Sequence, residues 1–349
     1  MIFFLSQVLI STFALGFASY VAVIFPGVPE KLIAALAILA AAGVNLIGLK
    51  TSARVQKGMV VLLLASLAVY IAFGLPKVDW SMLTPTMENL MPNGTLSFLR
   101  GAVMLSFACG GAKFLAESGG EVENPGKTIP RAMVVSTLLV ACFYALVGFV
   151  AAGVLPLDQV AGKNISVVAK EIFPAPVYLF FVIGGAWFAL LTTLNGTLSW
   201  VTRGLQRASF DGWLPKTLGK ENKNGTPVYL LALFVVLGLI PVVTGMNTTD
   251  ISNMGTGCSK LSDLLMVYAC FRLPDVLPDV YARSTLKLKP ALLKVVMVLV
   301  FIVLALSSVV SLSSLTLLQF AGMGIFIVAA IIVMLLRYKH FQDQDKVAE

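Results

Sequence analysis

Histidine is almost missing from this sequence: its 349 residues contain one, His340, in the C-terminal tail. Histidine metal clusters and serine–histidine catalysis therefore have no material here. Charge is scarce as well, at 12% of residues, where an ordinary soluble domain carries about 25%. The four cysteines (Cys109, Cys142, Cys258 and Cys270) all fall within apolar segments and form no CxxC pair. They read as reduced packing residues rather than a disulfide or metal set. No GxxxxGK[ST] phosphate loop occurs, so an ATP-driven pump would need another subunit. No connection is large enough to be a soluble domain; the longest runs from about Thr202 to Thr226.

What the chain does have is apolar length. Hydrophobic residues make up 58% of it and the mean hydropathy is +0.92. A bilayer core needs roughly 20 apolar residues per helix. Ten segments meet that need, over residues 3–24, 30–49, 58–75, 97–119, 131–154, 177–201, 227–246, 251–271, 291–312 and 315–336. The chain reads as an all-α integral membrane protein; unbroken runs of this length do not fit the alternating strands of a barrel. MIFFLSQVLISTFALGF has no basic residue ahead of its apolar run, so it reads as a first span rather than a signal peptide.

Charge placement supplies the topology. With Met1 inside and each segment crossing once, 18 lysines and arginines fall in inside loops and the tail, against four outside: Lys31, Lys77, Lys163 and Lys170. Such a bias sets both termini in the cytoplasm. The net charge of +8 then needs no nucleic acid, because basic loops facing an anionic leaflet account for it. Between residues 157 and 173, Val167, Val168, Ile172 and Phe173 fit either an amphipathic helix over the outer mouth or a plain surface loop helix.

One stretch breaks the apolar pattern. Ser106 to Pro130 reads SFACGGAKFLAESGGEVENPGKTIP, with two glycines, a lysine and a glutamate inside a span. A lysine at the centre of a spanning helix costs roughly 2.5–3.5 kcal/mol on insertion scales. Unpaired backbone survives at membrane depth only where protein or a water-filled cavity covers it. Gly110, Gly111, Lys113 and Glu117 therefore point to a polar cavity at mid-depth. Two half-helices meeting there would offer N–H groups to a carboxylate and carbonyls to a cation, which suits an amino acid. Two plainer readings stand beside it: glycines that let helices pack closely, and an i, i+4 pair between Lys113 and Glu117.

EVENPGKTIPRA, from Glu121, resembles the cytoplasmic end of the sixth helix in amino acid permeases of the amino acid–polyamine–organocation superfamily, E-[VI]-x-N-P-x-[RK]-x-[IV]-P. RGLQRASFDGWLPKTLGKENKNGTP, from Arg203, is similar to the family's loop after helix eight. NLIGLKTSARVQ is similar, more weakly, to the connection between helices four and five. The resemblance covers nearly the whole chain and implies a leucine-transporter-like fold of inverted repeats. Residues 1–76 would be family helices three to five, 97–272 helices six to ten, and 290–337 the two additional helices. Helices one and two would then be missing. The resemblance leaves three explanations: a start that lies upstream, a truncated gene, or a separate chain that supplies the pair. Leu63 stands where some members carry a lysine that replaces a bound sodium ion.

The implied function is secondary transport of an amino acid across the cell membrane, by proton symport or exchange; the alternative is a transport-incompetent fragment or a partner-dependent subunit. Phe107, Ala108, Cys109, Gly110, Gly111 and Lys113 are the expected substrate positions. Glu117, Thr193, Lys260 and Asp263 are the expected coupling positions, with Lys260 and Asp263 spaced to pair at i, i+3 and Thr193 beside Thr192 and Asn195 in either a cation site or polar packing. Lys113 argues against polyamine substrates. No cofactor or metal is implied, and an enzyme has no nucleophile–base set to work with. Cysteines introduced at residues 157–173 should react with a membrane-impermeant maleimide on intact cells, and those at 202–226 only after permeabilisation. The opposite labelling pattern would reverse the topology.

Overall fold

A computed structural model describes residues 8–84, 86, 91–119, 122–284, 288–313 and parts of 315–338, apart from the side chains of 49–51, 104, 107, 117 and 118. The described chain is helical, and its one β pairing is an isolated bridge between Glu221 and Pro227. Helices α1 (Leu9–Ile24) and α2 (Glu30–Ile47) pack side by side, and α3 (Leu49–Gly74) follows at once. Next come α4 (Gly94–Cys109), a 3-10 stretch (Gly110–Ser118) and α5 (Pro125–Val154). Two short helices, α6 (Leu157–Val160) and α7 (Ser166–Ile172), cross the next connection. Helix α8 (Ala175–Phe180), a π segment (Phe181–Trp187) and α9 (Phe188–Phe210) make one span of 36 residues. The rest is α10 (Val228–Thr244), α11 (Thr248–Val276), α12 (Pro278–Ala282) and α13 (Pro290–Leu312).

Nine of the ten expected spans therefore appear as continuous helices, and the described residues of 317–336 are helical as well; residues 3–7 and His340 lie outside the described set. Helix α3 begins nine residues before the expected 58, through Arg54 and Lys57. Their long stems can lie along apolar surface while the charged ends reach water, so the helix need not stop where the apolar run does. Helices α5 and α13 expose apolar rows, Val134, Val135 and Leu138 on one and Val295, Leu299 and Val303 on the other. Exposed surface of this kind is too extensive for water and matches hydrocarbon. The chain is a multi-pass membrane protein.

Two cores hold the bundle. The first joins α1, α2, α9 and α10 through Ile10, Ala14, Ala18, Ala34, Ile38, Leu194, Leu198 and Phe234. Ala34, Ala37 and Ala41 form a small-residue stripe on α2, which lets neighbouring backbones approach closely. The second core, around Tyr70, Val150, Ile172, Phe173 and Phe181, gathers α3, α5, α7 and the π segment. It settles the 157–173 connection: Val168, Ala169 and Ile172 are buried, so α7 is an amphipathic helix docked on the bundle. Lys77 Nζ donates to the Glu171 and Ile172 carbonyls, 2.8 and 2.9 Å away, and so caps α7.

Two of the segments that carry the family resemblance touch each other. Helix α2 ends at Gly48, whose φ of +118° favours glycine. The ending leaves α2's last carbonyls without helical partners. Asn222 and Asn224 donate to Leu46 O at 3.1 and 3.0 Å, and Thr226 Oγ1 donates to Asn45 O at 2.8 Å. The NGTP turn thus clasps the NLIG turn. Before α5, Asn124 takes a left-handed conformation (φ 51°) and Pro125 occupies the first turn, a start that asparagine and proline both favour.

Helices α1 and α10 meet at Gly238. A Cβ there would lie 2.6 Å from Ile10 Cγ2, and Ser11 Oγ donates to the Gly238 carbonyl at 2.8 Å. Gly148 on exposed α5 has nothing within 4 Å of the same position. Gly238→Ala is expected to destabilise the protein by about 1–3 kcal/mol through overpacking, whereas Gly148→Ala leaves it unchanged or gains up to about 1 kcal/mol. Thermal unfolding in detergent measures the contrast.

Candidate functional site

At Cys109 the helix does change, though not into two half-helices. The α-helical hydrogen-bond pattern gives way to nine residues of 3-10 helix, Gly110–Ser118. Runs of 3-10 longer than about 3–4 residues are uncommon. The expected opened break is therefore corrected to a tightened one: N–H groups reach back three residues rather than four, and most backbone pairing survives. Such a change of register leaves one carbonyl at the junction without an intrahelical donor. Gly110 and Gly111 are exposed, and among the described atoms nothing lies within 4 Å of a Cβ built at either. Close helix packing is thus not the reason for these glycines.

The 3-10 stretch is held by its neighbours. Lys113 Nζ lies 2.6 Å from Asp263 Oδ1 and 3.1 Å from Ser259 Oγ, both on α11. Ser259 and Asp263 are i, i+4 and share a face, so one ammonium reaches both. Successive residues in a 3-10 helix point about 120° apart, so Phe114 turns elsewhere. Its ring stacks on Trp200 of α9 with centroids 3.6 Å apart and 16° between planes. Lys113 Nζ also lies 5.2 Å from the Phe114 ring centroid. Two adjacent side chains thereby tie the stretch to two helices.

Lys260 does not pair with Asp263 as its i, i+3 spacing suggested. Asp263 turns to Lys113 instead, and Lys260 Nζ donates to Ser106 Oγ on α4 at 3.2 Å. A contact across the interface wins because it satisfies both segments, whereas an intrahelical pair would leave Lys113 unmatched in the bundle. Ala108 is exposed and Cys109 half-buried. The side chains of Phe107 and Glu117 lie outside the described residues, and with them the proposed Lys113–Glu117 pair. Thr193 is separate from the cluster: its hydroxyl donates to the Ala189 carbonyl of its own helix at 2.8 Å.

A second, neutral network joins Asn195, which the sequence reading had named, to Asn45, Ser52 and Gln56, which it had not. Asn45 Nδ2 donates to Asn195 Oδ1 at 2.9 Å. Asn195 Nδ2 donates to Ser52 Oγ at 3.1 Å and to Gln56 Oε1 at 3.0 Å, and Gln56 Nε2 donates to the Thr192 carbonyl at 3.0 Å. This network locks α2, α3 and α9 where Gly48 bends the chain, so Asn195 serves polar packing. Its sequence signal was an asparagine in the alanine stripe of α2 and the i, i+4 pair Ser52 and Gln56. Ser106 and Ser259 carried no signal, since their roles depend on partners about 150 residues away.

A bundle of apolar helices with a lysine–aspartate pair and a second, buried lysine between them defines an integral membrane protein with a polar cluster between its helices. Comparison makes the assignment specific: the family model described as amino acid permease matches residues 1–275, and the chain belongs to that family. It is 30% identical over 162 residues to the amino-acid permease RocE of Bacillus subtilis (strain 168), covering 45% of this chain and 34% of the relative. It is 29% identical over 185 residues to the serine/threonine exchanger SteT of the same organism, covering 52% and 40%. It is 26% identical over 269 residues to the cadaverine/lysine antiporter of Escherichia coli (strain K12), covering 72% and 60%. The chain thus spans less than two thirds of the length of each of these relatives.

The Lys113–Asp263 pair is partly exposed, at 30% and 17% of side-chain area. Lys113→Met and Asp263→Asn are each expected to cost about 1–3 kcal/mol, the scale for losing a hydrogen bond to a charged group. The double variant should cost less than the sum of the two. Additive losses in detergent unfolding would show that the two residues do not interact.

Proposed function

We propose that the chain transports an amino acid by alternating access around the segment Gly94–Ser118. The observation that carries this reading is the change from α to 3-10 helix beside Gly110 and Gly111, with open space at both glycines and an ion pair to α11 on the next turn. A polar solute crossing a bilayer needs such a lined recess between spans, and discontinuous helices are a common way to build one. Phe107, Ala108, Cys109, Gly110, Gly111 and Lys113 form the substrate wall. The relatives named for permeation, exchange and antiport of amino acids or their amines support the solute class.

Asp263 and Glu117 are the coupling groups in this reading. An aspartate held by a lysine across a helix interface can change partner when substrate or a proton arrives. Thr193 retains lone pairs after donating to Ala189 and remains a coupling position. Residues 1–76 and 97–272 belong to the two inverted repeats and 290–337 to the appended helices. The chain sits in the cell membrane with both termini in the cytoplasm, as the basic loops require.

Reconstitution tests the reading. Proteoliposomes should accumulate at least one labelled amino acid, driven by an inward proton gradient if the protein is a symporter or by internal amino acid if it is an exchanger. Gly111→Leu fills the open space and should reduce uptake to background while the protein stays monodisperse. Failure of every common amino acid under both conditions would remove the transport reading. Normal uptake by Gly111→Leu would move the site elsewhere.

A further inference from the structure

We propose that Lys260, with Ser106, anchors the side-chain carboxylate of an acidic amino acid; this rests on the transport reading and names its substrate class. Lys260 lies near the middle of α11 and is only 9% exposed. Its ammonium has three N–H donors. Ser106 Oγ, 3.2 Å away, accepts one. The Ser106 proton goes to the Val103 carbonyl at 2.7 Å, so the hydroxyl meets Lys260 with a lone pair. Among the described residues nothing accepts the other two donors.

The neighbouring carboxylate cannot fill that role while the structure stands as it does. Asp263 is held by Lys113 at 2.6 Å, and Lys113 also donates to Ser259. The described side chains of the cluster are thus two ammoniums and one carboxylate, and Lys260 is the ammonium that no described carboxylate pairs. A buried ammonium is unfavourable unless a counter-charge joins it. A neutral amino acid carries no net charge and supplies none; a cationic one adds positive charge. A dicarboxylic amino acid carries one net negative charge and brings two acceptor oxygens to the two unused donors.

There is also room. Ser106 stands one turn before Gly110 and Gly111, where no described atom lies within 4 Å of an added Cβ. The unsatisfied cation and the uncrowded backbone therefore adjoin. In this arrangement Lys113 and Asp263 keep their places in the wall and in coupling, and Lys260 selects the charge of the solute.

Equilibrium competition on the full chain in lipid nanodiscs tests the inference, with labelled glutamate displaced by glutamate, aspartate, glutamine, leucine and lysine, and the neutral amino acids also measured directly as labelled ligands. Glutamate should bind at least about tenfold more tightly than glutamine, the scale of one charge-assisted hydrogen bond. Lys260→Met should erase that preference while leaving glutamine and leucine within about twofold, and Lys260→Arg should retain part of it. If Lys260→Met fails to fold, Ser106→Ala serves instead and should shift the preference in the same direction by about threefold. Glutamine or leucine binding as well as glutamate to the unmodified protein, or an unchanged preference in a folded Lys260→Met, would overturn the inference and leave amino acid transport standing. Absence of binding by any amino acid would overturn both.

Discussion

In hydrocarbon the ammonium of Lys113 can place its charge only on a partner from the protein, and Asp263 provides it 150 positions along the chain. The rest of the site follows from that necessity. The Lys113 side chain ties the 3-10 stretch to α11, and Lys260 turns to Ser106 instead of Asp263. Water would allow each charge to go its own way; the bilayer does not. A pair worth little on a soluble surface here joins two segments 150 residues apart.

The bundle carries two polar joints of different kinds. The amide network of Asn45, Ser52, Gln56 and Asn195 is neutral, largely buried and closed, with each described amide group engaged by another. Closed networks rigidify, and this one sits where α2 turns into α3. The charged joint is more exposed and incomplete. Its pairs can be remade at lower cost because a charged solute can replace a partner. A stiff joint behind and a changeable one in front suit a machine that must move in one place and hold still in another.

Much of this was legible in the sequence. Nine helices follow from apolar runs, and the glycine pair marked where the helix changes. The motifs around Asn124 and Asn222 are local turn chemistry, readable from residues that tolerate special backbone angles. What the sequence concealed was partnership. Lys260 and Asp263 look paired at three residues' distance, yet Asp263 belongs to Lys113; local spacing states what is possible and tertiary packing selects. The expected opened break also misjudged the backbone, since tightening a helix preserves hydrogen bonds that opening it would lose. The π segment Phe181–Trp187 carries a second glycine pair, Gly184 and Gly185, which the sequence reading passed over.

The 3-10 stretch has a metric consequence. Each of its residues advances about 0.5 Å further and turns about 20° more than in an α-helix. Over nine residues this amounts to about 4.5 Å of length and about half a revolution. Recoiling the same residues to α geometry would shorten the stretch by that length and turn its far end to the opposite side. The stretch is a screw thread cut into a single segment, with a stroke near the thickness of one side chain.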